Sequence, residues 1–355
     1  MKNKVQTQIF KITKVNHPFF DQKIISFNLG DFNFNTQNSK SGSFGTVYKA
    51  KPIHNQFLSK KIKREEYAIK ILSNNDKENQ KIDFLDQPKL REIEIMNAIN
   101  NFSHENLLGL LDFSIDSKNH QISLLMDYIP NNLYDFVEKN SMTEEMLKSI
   151  SLQIIAGVNH LHNLGYLHRD LKSRNILVDK NKDGKILVKI SDYGLGVKIS
   201  KNSTHLEYCG TSGYEAPEML LGSSVYYKSL DVWSIGIVIL EILFKRENIF
   251  YGNPVKSLMK IMKYFGINQL KDIIPYADVF PNFEDYNKEI EIRKNTTKNI
   301  FQNENLEDII RKKQTIIKEE NIDLFINFIK KLLVLDPTKR AKLKELQSDP
   351  WINSN

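Results

Sequence analysis

The sequence predicts an α+β fold in two lobes, a small β-rich lobe with one main helix followed by a larger, mainly α-helical lobe. Two observations carry this. Stretches of β-formers at Gly42 to Ala50, Tyr67 to Leu72 and Gln121 to Tyr128 all fall before Pro130. Beyond Pro130 the apolar residues recur mainly at helical intervals.

Taken in order, residues 1–26 are polar and basic with scattered aromatics and no clear period, which suits an N-terminal extension. Residues 27–129 make the small lobe. Within it, Pro88 to Ile99 spaces Leu90, Ile93, Ile95, Met96 and Ile99 as a helix does, with proline near the start. Residues 130–353 make the large lobe. There Glu144 to His162 reads as a helix ending before Gly165, and Ile186 to Ile190 as a short strand. Leu230 to Leu243 reads as a buried helix, and Leu324 to Leu335 as an amphipathic one ending at Asp336-Pro337. The stretch from Asn253 to about Asn321 is rich in Lys, Asn and Glu and reads as less regular, an insert at about 253–320.

Composition narrows the class. The chain has 355 residues, 41% hydrophobic and 26% charged, enough to bury a substantial core and unlike a disordered chain. The net charge of +7 comes from lysines spread along the chain without a nucleic-acid motif, which suits a solvated basic surface and no dedicated nucleic-acid binding. The single cysteine, Cys209, excludes an intrachain disulfide and suits a reducing compartment, cytoplasm or nucleus. The most apolar stretch, Val232 to Phe244, is shorter than the ~20 residues of a membrane span and contains Glu241, so no membrane association is expected. The opening MKNKVQTQIFKITK lacks the apolar centre of a signal peptide.

Several short motifs point to phosphate chemistry. Gly42-Ser43-Phe44-Gly45-Thr46-Val47 lies among strand candidates, and its glycines let backbone N–H groups approach a phosphate closely. Lys70 sits inside the apolar strand Ala68-Ile69-Lys70-Ile71 and needs an anionic partner, which Glu92 on the following helix can supply. His168-Arg169-Asp170-Leu171-Lys172-Ser173-Arg174-Asn175 is the most specific signal. Asp170 is placed to accept a hydroxyl proton, Lys172 to contact a transferring phosphate, and Asn175 to offer a hard carbonyl oxygen to Mg²⁺. Ser191-Asp192-Tyr193-Gly194 follows a strand and supplies a second metal ligand, Asp192. Ala216-Pro217-Glu218 and Asp231-Val232-Trp233-Ser234 come next, and Arg340 far downstream is a candidate partner for Glu218.

In this order and spacing the motifs resemble the eukaryotic protein kinase family over roughly residues 27–353. The resemblance implies the bilobal protein-kinase fold and a protein serine/threonine kinase using ATP and Mg²⁺, with Asp170, Lys172, Lys70, Glu92 and Thr211 catalytic. It places nucleotide against Gly42, Ser43, Gly45, Val47, Ala68, Lys70, Met126, Asp127 and Ile129, and metal on Asn175 and Asp192. The alternative is a pseudokinase scaffold that binds nucleotide without efficient transfer. Lys40 stands at the family's first loop glycine, Tyr193 at its usual Phe, and Glu215 before Ala-Pro-Glu.

Arg91-Glu92-Ile93, Met126 to Pro130 and the insert resemble the cyclin-dependent, MAP and glycogen-synthase kinases. Most of those carry Arg where this chain has Glu215, so proline direction stays open. Cys209-Gly210-Thr211 looks like the cyclic-nucleotide- and calcium-dependent kinases. Lys172 is the serine/threonine-type residue, and Arg174 replaces a Glu of some base-preferring kinases, which argues against a strongly basic substrate. For regulation the resemblance implies Arg169 as an anion receiver, Glu207 as its built-in carboxylate, and Tyr208 and Thr204 as phosphosites. The partners implied are protein substrates and an activating subunit or upstream kinase.

Overall fold

The computed structural model describes residues 29–42, 45–53, 65–72, 87–116, 121–181, 183–199, 209–223, 227–266 and 305–354. The chain divides into two compact units, residues 1–103 with 108–130, and residues 104–107 with 131–355.

The first unit is built on an antiparallel sheet of five strands in the order β1 (Phe32–Gly42), β2 (Gly45–Pro52), β3 (Tyr67–Leu72), β5 (Gln121–Asp127) and β4 (Asp112–Asp116). Its core joins Phe32, Ala50, Tyr67, Ile69 and Leu125, with the Phe32 and Tyr67 rings edge to face at 5.8 Å. Such β-branched and aromatic residues suit a half-buried pleated surface. β1 is polar, and its register against β2 shifts between Asn35 and Lys40, the mark of a bulge. The hairpin closes at Gly42 opposite Gly45. Gly45 has φ of 143°, and a Cβ there would meet the Ile71 carbonyl oxygen at 2.2 Å, so β2 runs this close to β3 only with glycine. Helix α1 (Gln87–Asn101) buries Ile93, Ile95, Met96 and Ile99, as their spacing predicts. Asn100 ties its end to the following segment, accepting the Leu110 N–H at 3.1 Å and donating to the Leu110 carbonyl.

The second unit centres on α3 (Glu144–Asn163) and α5 (Ser229–Leu243). Thr143 caps α3 by accepting the Met146 N–H, and Leu147, Ile150, Ile154, Ile155, Val158 and Leu161 form its buried stripe. α5 is buried on every side, which explains why its sequence is apolar without a period. Against α3 lies a small sheet of β6 (Asn131–Asn132), β8 (Ile176–Lys180) and β9 (Ile186–Ile190). Gly157 of α3 allows this approach. A Cβ there would meet Ile190 Cδ1 at 2.8 Å and the Asn106 carbonyl oxygen at 2.9 Å. Gly157→Ala is therefore expected to lose about 1–3 kcal/mol by urea unfolding, overlap outweighing the gain of about 1 kcal/mol in helix propensity.

The stretch read as irregular contains regular helices. α6 (Pro254–Phe265) starts at an Asn253 cap with proline in its first turn, and a helix at Leu306–Lys313 starts with an Asn305/Asp308 capping box. Their apolar residues, Leu258, Ile261 and Met262 in one and Leu306, Ile309 and Ile310 in the other, keep helical spacing among many lysines and asparagines. Two further short elements gave no signal of their own, β4 and α2 (Leu133–Lys139), the latter capped by the Asn132 side chain on the Asp135 N–H.

Candidate active site

In the first unit, Lys70 and Glu92 form a buried ion pair, with Lys70 Nζ donating to Glu92 Oε1 at 2.7 Å and Oε2 at 3.0 Å. Lys70 is 6% and Glu92 2% exposed, so each offsets a charge that burial makes costly. Val47 of β2 lies opposite Lys70, and Ala68 of β3 lies opposite Met126 of β5. Asp127 and Ile129 are half-buried at the end of β5 and just beyond it. Gly42 and Gly45 sit at the hairpin mouth, while Ser43 between them lies outside the described residues.

In the second unit the chain leaves β7 (Tyr166–Leu167) and enters the loop at His168. His168 Nε2 donates to the Ser191 carbonyl at 3.0 Å, while its Nδ1 accepts the Asp170 N–H at 3.2 Å. Those two bonds fix the tautomer with hydrogen on Nε2. The Asp170 carboxylate accepts Lys172 Nζ at 2.8 Å and Asn175 Nδ2 at 3.0 Å on Oδ2, and Thr211 Oγ1 at 2.6 Å on Oδ1. Lys172 Nζ also donates to Thr211 Oγ1 at 2.7 Å. Asn175 Nδ2 further donates to the Asp170 carbonyl at 2.9 Å, which leaves Oδ1 as the acceptor end of that amide.

Asp192 is held beside Asn175 through its neighbour, because the N–H and hydroxyl of Ser191 both donate to the Asn175 carbonyl at 2.9 Å. Asp192 and Arg169 both adopt φ of 64°, a left-handed conformation that costs about 1–3 kcal/mol in a non-glycine residue and persists only where surroundings enforce it. Tyr193 is fully buried, and its hydroxyl donates to the Ile190 carbonyl at 2.7 Å, so tyrosine in this place gains a bond that phenylalanine lacks. Asp192 and Asn175 offer one carboxylate and one amide oxygen. That hard, sparse donor set fits Mg²⁺, which keeps waters and binds substrate phosphates besides one or two protein groups.

What enforces the loop is Asp231, a residue the sequence reading noted only as part of a motif. It lies in the first turn of α5 and is fully buried. Its Oδ2 accepts the His168 N–H at 2.9 Å and His162 Nε2 at 2.7 Å, and its Oδ1 accepts the Arg169 N–H at 2.9 Å. Burial alone would push this carboxyl up; the hydrogen bonds from His162 and from the His168 N–H oppose burial and hold it below the usual carboxylate value. An aspartate opening an otherwise apolar helix is the signal that could have found it. A carboxyl lowered by folding stabilises above its unfolded value, and the contribution is lost as pH falls through the folded value. Asp231→Asn is thus expected to cost about 1–3 kcal/mol at neutral pH. The difference from wild type should shrink below 3.8, as measured by urea unfolding across acid pH.

Arg340 pairs with Glu218 as the sequence suggested. Glu218 of α4 (Pro217–Leu220) meets Arg340 in a fully buried fork, both N···O distances being 2.6 Å. Glu215 is also buried and accepts the Gly213 N–H at 2.6 Å. Arg169 Nε donates to the Leu195 carbonyl at 2.7 Å. Thr204, Glu207 and Tyr208 lie outside the described residues.

The family model described as protein kinase domain matches residues 40–352. A probable CTD kinase subunit alpha homolog of Encephalitozoon cuniculi is 26% identical over 305 residues, covering 86% of this chain and 79% of that protein. Cyclin-dependent kinase 12 of Caenorhabditis elegans is 30% identical over 329 residues, 88% of this chain but 40% of that protein. Mitogen-activated protein kinase 6 of Arabidopsis thaliana is 29% identical over 302 residues, 82% and 67%. The chain thus spans less than half of the cyclin-dependent relative and most of the other two. In fold, it is similar to a chain of the crystal structure of the yeast RNA Pol II CTD kinase CTDK-1 complex, at a TM-score of 0.65 and 21% identity, covering 96% of this chain and 95% of that one.

Proposed function

Because this chain belongs to the protein kinase family, we propose that it transfers the γ-phosphoryl group of ATP to serine or threonine hydroxyls of other proteins. The observation that carries this reading is the Asp170 carboxylate, held by three donors and bonded to Thr211 and Lys172. Asp170 receives the proton as the acceptor oxygen bonds to the γ-phosphorus and the bond to the leaving ADP oxygen breaks. Lys172 stands beside that oxygen to offset charge on the transferring group, and Thr211 holds both side chains in place. Lys70, kept ionised and oriented by Glu92, binds the α and β phosphates. Gly42, Ser43, Gly45 and Val47 cover the phosphates. Ala68, Met126, Asp127 and Ile129 receive the adenine. Asn175 and Asp192 would hold Mg²⁺, which would supply positive charge against the phosphates.

The same reading divides the chain into an extension at 1–26, an N-lobe at 27–129 and a C-lobe at 130–353 carrying an insert at about 253–320. It assigns Arg169 to an anion of the activation segment, with Glu207, Tyr208 and Thr204 as regulatory residues. An activating subunit or an upstream kinase belongs to it too, since one relative is named as a subunit and one similar fold comes from a complex. Among the described residues no helix is long and apolar enough to cross a membrane, and cytoplasm or nucleus is the proposed location.

The direct test is transfer from labelled Mg·ATP to a mixed protein panel, comparing wild type with Asp192→Asn. Label on serine and threonine with wild type alone is expected. Nucleotide binding by well-folded protein without transfer by either would replace this reading with the scaffold one.

A further inference from the structure

Tyr134 of α2 carries two arginines on one ring. The Arg174 guanidinium carbon lies 3.9 Å from the ring centroid and that of Arg246 lies 3.8 Å from it. Two guanidinium planes cannot share one face at that distance, so the ring is sandwiched between them. Stacking uses the face of a guanidinium and leaves the N–H groups on its edge for a planar anion.

The charges near this sandwich do not balance. Arg246 pairs with Glu138, which is itself 55% exposed, and Arg246 Nε is buried with no hydrogen-bond partner among the described residues. Arg174 is exposed and makes no ion pair or hydrogen bond with a described residue. The nearby Glu241 faces both arginines, whose charges act to lower its carboxyl, and with Glu138 it sets two carboxylates against three cations, Arg174, Arg246 and Lys245. It is buried, burial pushes its carboxyl up, and it accepts the Tyr214 hydroxyl at 2.7 Å. Lys245, next to Arg246, is exposed and adds positive charge.

Position gives the patch a purpose. Arg174 lies in the tight turn Ser173–Asn175, against which α2 packs, four residues after Asp170 and two after Lys172. A peptide whose hydroxyl reaches Asp170 extends only about 3.3 Å per residue, so a side chain within a few residues of the acceptor meets this patch.

We propose that Arg174 and Arg246, braced on Tyr134, form a substrate-recognition site for an anionic side chain, glutamate or phosphoserine, close to the acceptor hydroxyl. This rests on the kinase reading of the same site and names the substrate class it takes: acidic or already phosphorylated protein segments. A phosphate, with three acceptor oxygens and up to two charges, fits a two-arginine site better than a single carboxylate does.

The test uses the full chain and peptides with one serine acceptor, carrying Ala, Arg, Glu or phosphoserine at each of the three positions on either side. Two readouts are taken, transfer kinetics and equilibrium binding of the fluorescently labelled peptides. The expected result is a kcat/KM roughly ten-fold higher for glutamate than for alanine at one or two positions, mainly through KM, and higher again for phosphoserine. Binding should follow the same order and weaken with salt. Arg174→Glu, an exposed change, should reverse the ranking of glutamate and arginine peptides, and Arg246→Gln should flatten it. Equal binding of all peptides, or an arginine preference in wild type, overturns the proposal. Discrimination in binding without transfer to any peptide keeps the anion site and removes the kinase reading; transfer without discrimination does the reverse.

Discussion

Asp170→Asn is expected to lower phosphoryl transfer by roughly 10²–10⁴-fold, the range a positioned general base contributes. The loss has two sources. An amide does not take up the hydroxyl proton. Its NH₂ end also cannot accept the bonds that the carboxylate takes from Lys172 and Asn175 on one oxygen and from Thr211 on the other. With the NH₂ on the side of Lys172 and Asn175, donors face donors; with it on the side of Thr211, that hydroxyl has to turn and accept instead of donate. Single-turnover transfer beside a Mg·ATP titration separates chemistry from binding. Nucleotide affinity close to wild type is expected, since phosphate and metal contacts are assigned elsewhere. Transfer within ten-fold of wild type would remove Asp170 from the role of base.

Arg340→Leu is expected to cost about 3–5 kcal/mol, a large part of the ~5–15 kcal/mol that keeps a domain folded. Every N–H of this guanidinium is used. Nε donates to the Val334 carbonyl at 2.7 Å. Nη1 donates to Glu218 and to the Ser229 carbonyl at 3.0 Å, and Nη2 to Glu218 and to the Leu335 carbonyl at 3.2 Å. Leucine removes all five bonds and strands Glu218, whose side chain is 3% exposed, as a lone buried charge. Thermal unfolding should move down on the order of 10 °C. The double variant Glu218→Met/Arg340→Leu should lose less than the sum of the single changes, because no charge is then left uncompensated. Additive losses in that cycle would show that the pair is not coupled.

The pair also bears on activity. Glu218 belongs to the short helix that ends the segment leading from Thr211, the residue that bonds Asp170 and Lys172. Loosening this anchor is expected to lower kcat at temperatures where the protein remains folded.

Much of this protein was legible in its residues alone. Helices α1, α3 and α5 follow from apolar spacing and from uniform apolarity. The pairing of Lys70 with Glu92 follows from a cation placed in an apolar strand. The cluster of Asp170, Lys172 and Asn175 lies within six consecutive residues, where local chain geometry alone brings the groups together. The helices inside 253–321 were less legible because lysine and asparagine dilute a weak period, and only their caps mark where they begin.

Other features were decided by the tertiary structure. Asp231 reaches the backbone of Arg169 across 62 residues of chain, and it holds a left-handed conformation that the identity of Arg169 does not announce. Arg174 and Arg246 meet on Tyr134 only because three separate segments converge there. Family and fold class are readable from the residues alone, because periodicity and short-range spacing act through neighbouring residues. The tertiary structure decided which buried charges are fully satisfied and which arginines are left with donors to spare, because hydrogen bonds between distant segments leave no periodic trace along the chain.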